Sequence, residues 1–147
     1  MQVKSILKIK NGKKIVSLDP GSSVEDAIQL MHKKKISAIM VMEKDKPVGI
    51  FTERDVVRSY TKKKGRKFRQ IPLKEVMTKK LIVASQSDNL GDIMAIMVEK
   101  NIRHLPVLED GKIVNMLSIR DVIGFCSCRQ QTFKIKTVRP GTGILIR

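Results

Sequence analysis

The feature that most limits what this chain can fold into is a segment that occurs twice. Sliding the 147-residue sequence against itself by 66 positions lays residues 24–57 on residues 90–123 without a gap. Asp26/Asp92, Met31/Met97, Ile36/Ile102, Val41/Val107, Glu43/Glu109 and Val48/Val114 are identical pairs, and Arg54-Asp55-Val56 falls on Arg120-Asp121-Val122. Many other pairs exchange one apolar residue for another. A unit of this size cannot bury its apolar face alone, so it must stack on a neighbour. Two copies packed face to face, about a pseudo-two-fold axis, would bury both faces and leave symmetric clefts between them.

Each copy reads as helix, strand, strand, helix. Val24, Ala27, Ile28 and Met31 stand at i, i+3, i+4 and i+7, one apolar face of a helix, and Leu90, Ile93, Met94 and Met97 repeat the spacing. Ser22 with Glu25 reads as a capping box, of which the copy keeps only Asp88. Lys33, Lys34 and Lys35 suit the negative end of the helix dipole. Two strands are expected around 38–42 and 48–52, joined by Glu43-Lys44-Asp45-Lys46-Pro47. In the copy Glu109-Asp110-Gly111-Lys112 carries the Asp-Gly signal of a tight hairpin. Second helices are expected from about 53 and 119. Leading strands are expected at Ile15–Leu18 and Leu81–Ala84, and a lead-in recurs at an offset of 70, Val3–Leu7 against Leu73–Met77.

Composition narrows the classes. The apolar fraction of 41% supports a core, but with aromatics at 3% and no Trp that core must be aliphatic. A formal charge of +16 favours encounter with anions such as nucleotides, nucleic acid or acidic surfaces, without choosing among them. Cys126 and Cys128 are too close in sequence to staple a fold, and with histidines only at 32 and 104 a four-ligand zinc site is not expected. No apolar run is long enough for a signal peptide or a membrane span, so a cytoplasmic protein without membrane contact is expected. Neither a Ser-His-Asp order, a Cys-His pair nor a Walker-type loop is present, so no enzymatic activity and no cofactor are expected.

Gly49-Ile50-Phe51-Thr52-Glu53-Arg54-Asp55-Val56 and Asn115-Met116-Leu117-Ser118-Ile119-Arg120-Asp121-Val122 resemble the strand-to-helix signature of CBS (cystathionine β-synthase) domains, with Asn115 in place of the usual Gly. Pro72–Thr78 is similar to that family's lead-in, and Ile102–Val107 to its second-strand start. The resemblance covers roughly residues 3–123. It implies an α+β fold, a tandem pair of CBS domains, each β-α-β-β-α, packed about a pseudo-two-fold axis. The units are then a first CBS domain at 1–61, a basic linker at 62–71, a second CBS domain at 72–125 and a tail at 126–147. It also implies a regulatory module that binds AMP, ADP, ATP or another adenosyl compound in the inter-repeat clefts, that forms a homodimer, and that acts on a regulated protein.

On the same resemblance each cleft borrows from both repeats. One combines Ile50, Thr52 and Asp55 with Ile102, Arg103 and His104; the other combines Met116, Ser118 and Asp121 with Ser17, Ile36, Ser37 and Ala38. Chemically, a hydroxyl three residues before a carboxylate at a helix start offers acceptors for vicinal ribose hydroxyls beside a phosphate-attracting dipole. The same pair is also a capping box, and the residues alone leave both readings open. The first cleft has Arg103 and His104 for phosphate, whereas the second has Ser37 and Ala38 at the corresponding places, which suit an adenine pocket but supply no charge. Val83 is expected to face the first cleft. The linker from Lys62 to Arg69 reads as a solvated, flexible connector, as a source of phosphate contacts, or as a nucleic-acid surface, the alternative function on the same fold. Phe133–Arg139 alternates as a strand would.

Overall fold

The structure is a computed structural model in which residues 1–10 and 14–127 are described; the tail from 128 onward, with its expected strand and Cys128, lies outside them. Helix α1 (Val3–Lys10) precedes a first repeat of β1 (Ser17–Leu18), α2 (Val24–Lys34), β2 (Ala38–Glu43), β3 (Lys46–Thr52) and α3 (Glu53–Lys62). Two short 3-10 turns, Phe68–Gln70 and Leu73–Glu75, lead to α4 (Leu90–Glu99), β4 (His104–Glu109), β5 (Lys112–Ser118) and α5 (Ile119–Ser127).

The 66-residue frame holds down to hydrogen-bond register. β2 runs antiparallel to β3 with Ala38 opposite Thr52, and β4 to β5 with His104 opposite Ser118. Both hairpins close through two residues of positive φ, Lys44 and Asp45 in one and Asp110 and Gly111 in the other. That matches the twist of the flanking strands. The connection expected over Glu43–Pro47 thus contracts, because Glu43 and Lys46 already pair across the ladder. The leading strands are shorter than expected. Leu18 lies parallel to Val41 in a two-residue β1, and Ala84 meets Val107 in a single bridge. Turns end both: Ser22 N–H reaches the Asp19 carbonyl, and Ser85 N–H reaches the Asp88 carboxylate.

The α2 cap is one residue later than expected. Asp26 Oδ2 accepts from Ser23 N–H at 2.8 Å and Asp26 N–H donates to Ser23 Oγ at 3.1 Å. Ser22 cannot serve, because its N–H holds the Asp19 turn and its carbonyl accepts from Leu73 N–H. At α4 the cap is Asn89, not Asp88, whose carboxylate is committed to Ser85.

The lead-ins cross over. Val3 and Ile6 are buried with Leu90, Ile93, Met97, Leu105, Val107, Leu117 and Val122 of the second repeat. Ile71 and Leu73 are buried with Val24, Ala27, Met31, Ile39, Val41 and Phe51 of the first. The backbone repeats the exchange: Val3 N–H bonds the Asp88 carbonyl and Leu90 N–H that of Met1, as Leu73 N–H bonds Ser22 and Val24 N–H bonds Ile71. A third cluster joins the two sheets, with Ala38, Met40 and Ile50 buried against Ile113 and Met116.

Candidate functional site

The strand-to-helix junctions at Thr52–Glu53 and Ser118–Ile119 place the two Thr/Ser-x-x-Asp motifs at helix N-termini. In the first, Asp55 Oδ2 accepts from Thr52 N–H at 2.9 Å and from its hydroxyl at 3.1 Å. Asp55 is only 2% exposed, and its other oxygen, Oδ1, faces Arg58 Nη1 at 3.3 Å. In the second, Asp121 Oδ2 accepts from Ser118 N–H at 2.8 Å and its hydroxyl at 2.7 Å, and Asp121 N–H donates to Ser118 Oγ at 3.2 Å. Both motifs therefore cap their helices, and capping accounts for one carboxylate oxygen in each.

Around the first motif the fold gathers one cleft. Ile50, Thr52 and Asp55 of the first repeat line it with Ile102, Arg103 and His104 of the second, so the first group expected from the sequence is brought together. Glu53, Arg54, Arg58, Thr78 and Asn101 complete the lining. Ser37, expected in the other cleft, also stands here. Its Oγ is 2.9 Å from His104 Nε2, which ties the β2 and β4 starts of the two repeats. Val83 is exposed and does not line the cleft. Arg54 Nη1 donates to the carbonyl of Asn101 and, at 3.1 Å, to its Oδ1. Burial pushes the His104 imidazole below its ordinary range, and the adjacent Arg103 charge adds to the effect.

Thr78 and Asn101 had sequence signals that were incomplete. Thr78 closes the lead-in motif, but only the crossover brings it to the first repeat, where it pairs with Ile50 through bonds of 3.0 and 2.9 Å. Asn101 takes φ 51° at the end of α4, and Lys35 takes φ 54° at the matching point after α2. Arg120 lines a different cavity, between α1 and α5, with Lys8, Lys10, Asp121 and Phe125.

The second group is not gathered in the same way. Ser17 is exposed in β1, and Ile36 packs at the edge of the first core. Ala38 is buried in the cluster between the sheets, with Met116 packed against it. Ser37 and Ala38 supply no charge, but a cation reaches this cleft from elsewhere. Lys10, the last residue of α1, places Nζ 2.7 Å from both the Met116 carbonyl and Asp121 Oδ2. Desolvation raises the Asp121 carboxyl, but the Lys10 and Ser118 hydrogen bonds and the Lys10 charge outweigh it and leave it below the usual carboxylate range.

The linker is more structured than a loose connector. Glu75 Oε2 takes Lys63 at 2.9 Å and Arg66 at 2.8 Å, and Arg66 also donates to the Gln70 carbonyl.

A strand-to-helix carboxylate that recurs in both repeats agrees with a match to the CBS domain family model over residues 3–62 and 73–127. The chain belongs to the CBS domain family. A solved structure of a protein with CBS domains from Burkholderia ambifaria is 35% identical and superposes with TM-score 0.85, covering 90% of this chain and 98% of that one. An uncharacterized protein of Methanopyrus kandleri is 30% identical over 108 residues, 70% of this chain, which spans only 55% of that relative's length. Two more distant CBS structures share the fold: one from Pyrobaculum aerophilum complexed with AMP (22% identity, TM-score 0.70, 82% of this chain and 89% of that one) and the pair of protein MJ0100 complexed with 5'-methylthioadenosine and S-adenosylmethionine (21%, 0.76, 88% and 98%). This chain is thus a tandem CBS pair. Among the described residues no helix is long and apolar enough to cross a membrane.

Proposed function

We propose that this CBS pair is a regulatory sensor that binds an adenine nucleotide, or another adenosyl compound, in the first cleft, and that it has no catalytic role of its own. The observation that carries the reading is the convergence of Asp55, at the start of α3, with Ile102, Arg103 and His104 from the other repeat. Asp55 Oδ1 and Thr52 offer acceptors for ribose hydroxyls, Ile50 and Ile102 offer apolar surface for a base, and Arg54, Arg58 and Arg103 offer charge for phosphate. The adenosyl ligands of the Pyrobaculum protein and of MJ0100 support the class but not a choice within it. Three arginines and the +16 charge favour phosphorylated ligands over a cationic sulfonium.

Ligand binding tightens the two repeats across the Ser37–His104 and Arg54–Asn101 contacts, and a regulated protein reads the change. The shift reaches only as far as the ligand's differential affinity for the two arrangements. Val57 and Tyr60 on α3 and Ile123 on α5 are exposed apolar residues that support a homodimer through these helices, measurable by light scattering. The nucleic-acid alternative, placed on Lys62–Arg69, is weakened because Lys63 and Arg66 are tied to Glu75. The deciding experiment is a thermal-shift series with AMP, ADP, ATP and S-adenosylmethionine on the wild type and Asp55→Ala. A ligand at about 100 times its dissociation constant stabilises by roughly 2.7 kcal/mol. A shift lost in Asp55→Ala supports the reading; no shift with any of the four overturns it.

A further inference from the structure

We propose that Lys10 is the built-in occupant of the second cleft, so that this pair offers one adenosyl site rather than two; the inference rests on the adenosyl reading of the first cleft. The two groups that Lys10 engages, the Met116 carbonyl and the Asp121 carboxylate, stand 66 residues after Ile50 and Asp55. They are the counterparts of the backbone and carboxylate positions that frame the first cleft. An ammonium carries three donors, and here two of them are spent at 2.7 Å on these acceptors. The contact is partly buried, with the Lys10 and Asp121 side chains 21% and 26% exposed.

The first cleft has no such plug. There the Ile50 carbonyl accepts from Thr78 N–H, and the cation near Asp55 is Arg58, 59% exposed and 3.3 Å away. Arg58 therefore stands at the mouth, where a ligand phosphate can take it over. Lys10 stands on the acceptors themselves. The difference follows from the lead-ins. Residues 73–75 make one 3-10 turn and the chain then extends to pair with β3, whereas α1 continues as a helix to Lys10 and delivers its side chain to β5 and α5. The other members expected for the second cleft are also engaged, with Ser37 bonded to His104 and Ala38 buried between the sheets. A ribose diol that takes the Met116 carbonyl and Asp121 Oδ2 must displace the ammonium, which competes with it for these two acceptors.

Two measurements on the full chain test this. The first is calorimetric stoichiometry with AMP, ADP, ATP and S-adenosylmethionine for the wild type and Lys10→Met, each checked for an intact melting transition. The expected result is one equivalent for the wild type and two for Lys10→Met. Two equivalents in the wild type, or one in a folded Lys10→Met, overturns the proposal. The second is pulsed lysine acetylation read by mass spectrometry without ligand. Lys10 should react several-fold more slowly than the exposed Lys4 and Lys8 of the same helix, and Asp121→Asn should abolish the protection. Equal reactivity in the wild type overturns the proposal whatever the calorimetry shows. If no ligand binds either protein, the adenosyl reading of the first cleft fails, and the acetylation rates alone decide whether Lys10 fills the second.

Discussion

The two clefts share a frame and differ in what the incoming chain does to each. Both have a strand end, a Thr or Ser cap, a carboxylate three residues on and a helix start, related by 66 residues. At the first, the lead-in of the other repeat turns back and lays Thr78 against Ile50. That return passes so close to Gly49 that a β-carbon there would meet Met77 Sδ at 2.6 Å and the Thr78 carbonyl at 3.0 Å. At the second, α1 stays helical, and the counterpart of Gly49 is a buried Asn115 whose side chain accepts from Met116 N–H. The departure of Asn115 from the family's glycine is thus the local trace of a different lead-in. Duplication preserves where the acceptors stand, and the lead-in decides whether they are open.

The crossover is the part of this comparison with the largest energetic consequence. Leu73 is fully buried in the first core, so Leu73→Ala should destabilise by about 2–5 kcal/mol in urea unfolding. Ile6→Ala should cost about as much through the second core. Hydrogen exchange separates them, because Leu73→Ala should loosen α2 first and Ile6→Ala should loosen α4 first. The reverse assignment would refute the exchange of lead-ins.

Next in size is the pair of carboxylates. Asp55→Ala removes a buried acceptor of three hydrogen bonds and should cost about 1–3 kcal/mol. It should also abolish adenosyl binding. Asp121→Ala loses a cap and a partly exposed ion pair, a cost of about 1 kcal/mol. Ligand affinity in the first cleft should stay at the wild-type value. Equal loss of binding in the two variants would mean that the clefts act as one site.

Much of this was legible in the sequence because a gapless repeat carries register with it. Once Arg54-Asp55-Val56 is laid on Arg120-Asp121-Val122, the helix starts at Glu53 and Ile119 and the two hairpins follow from local pattern and turn chemistry. The six residues expected at the first cleft came together too, since they lie within the matched segments. What stayed hidden depends on contacts between segments far apart in sequence. The cap moved from Ser22 to Ser23 because Leu73, some fifty residues on, takes the Ser22 carbonyl. Ser37 joined the first cleft because its hydroxyl finds His104 across the pseudo-two-fold axis. Lys10 carried no signal of its own, because nothing in the spacing of α1 says that its end reaches residues 116 and 121. Only the offset of 70 in the lead-in, against 66 elsewhere, hinted that the two halves join differently.

The glycine sharpens the point at somewhat lower cost. Gly49→Ala drives a methyl into Met77 and the Thr78 carbonyl, and overpacking of this kind costs typically 1–3 kcal/mol. Because the Met77 side chain is flexible, the low end of that range is expected in chemical denaturation. The same change should weaken ligand binding by displacing Thr78 from the lining. Asn115→Ala creates no clash and removes one local hydrogen bond, so its cost should be near 1 kcal/mol, with binding untouched. If Gly49→Ala proved neutral in both respects, the close return of the lead-in would not be what separates the clefts.

The smallest effect is a pH dependence whose sign belongs to the first cleft alone. Burial, reinforced by Arg103, holds His104 below the ordinary imidazole range, so the folded state binds fewer protons there than the unfolded state. The stability it contributes is complete above the unfolded pKa of about 6.5 and is lost as pH falls below it. Asp121 is also depressed, but its contribution lasts until pH falls into the carboxylate range, so it is silent between pH 7 and 5. The ligand-free protein should therefore melt about one or two degrees lower at pH 5.5 than at pH 7.5, and His104→Gln should flatten that slope. A phosphorylated ligand should show the opposite trend, because a protonated His104 beside Arg103 attracts its charge. Affinity for AMP should then rise as pH falls from 7.5 to 6.5, while affinity for uncharged adenosine stays level. Parallel slopes for the two ligands would place the phosphate away from His104 and return the recognition to the ribose and base.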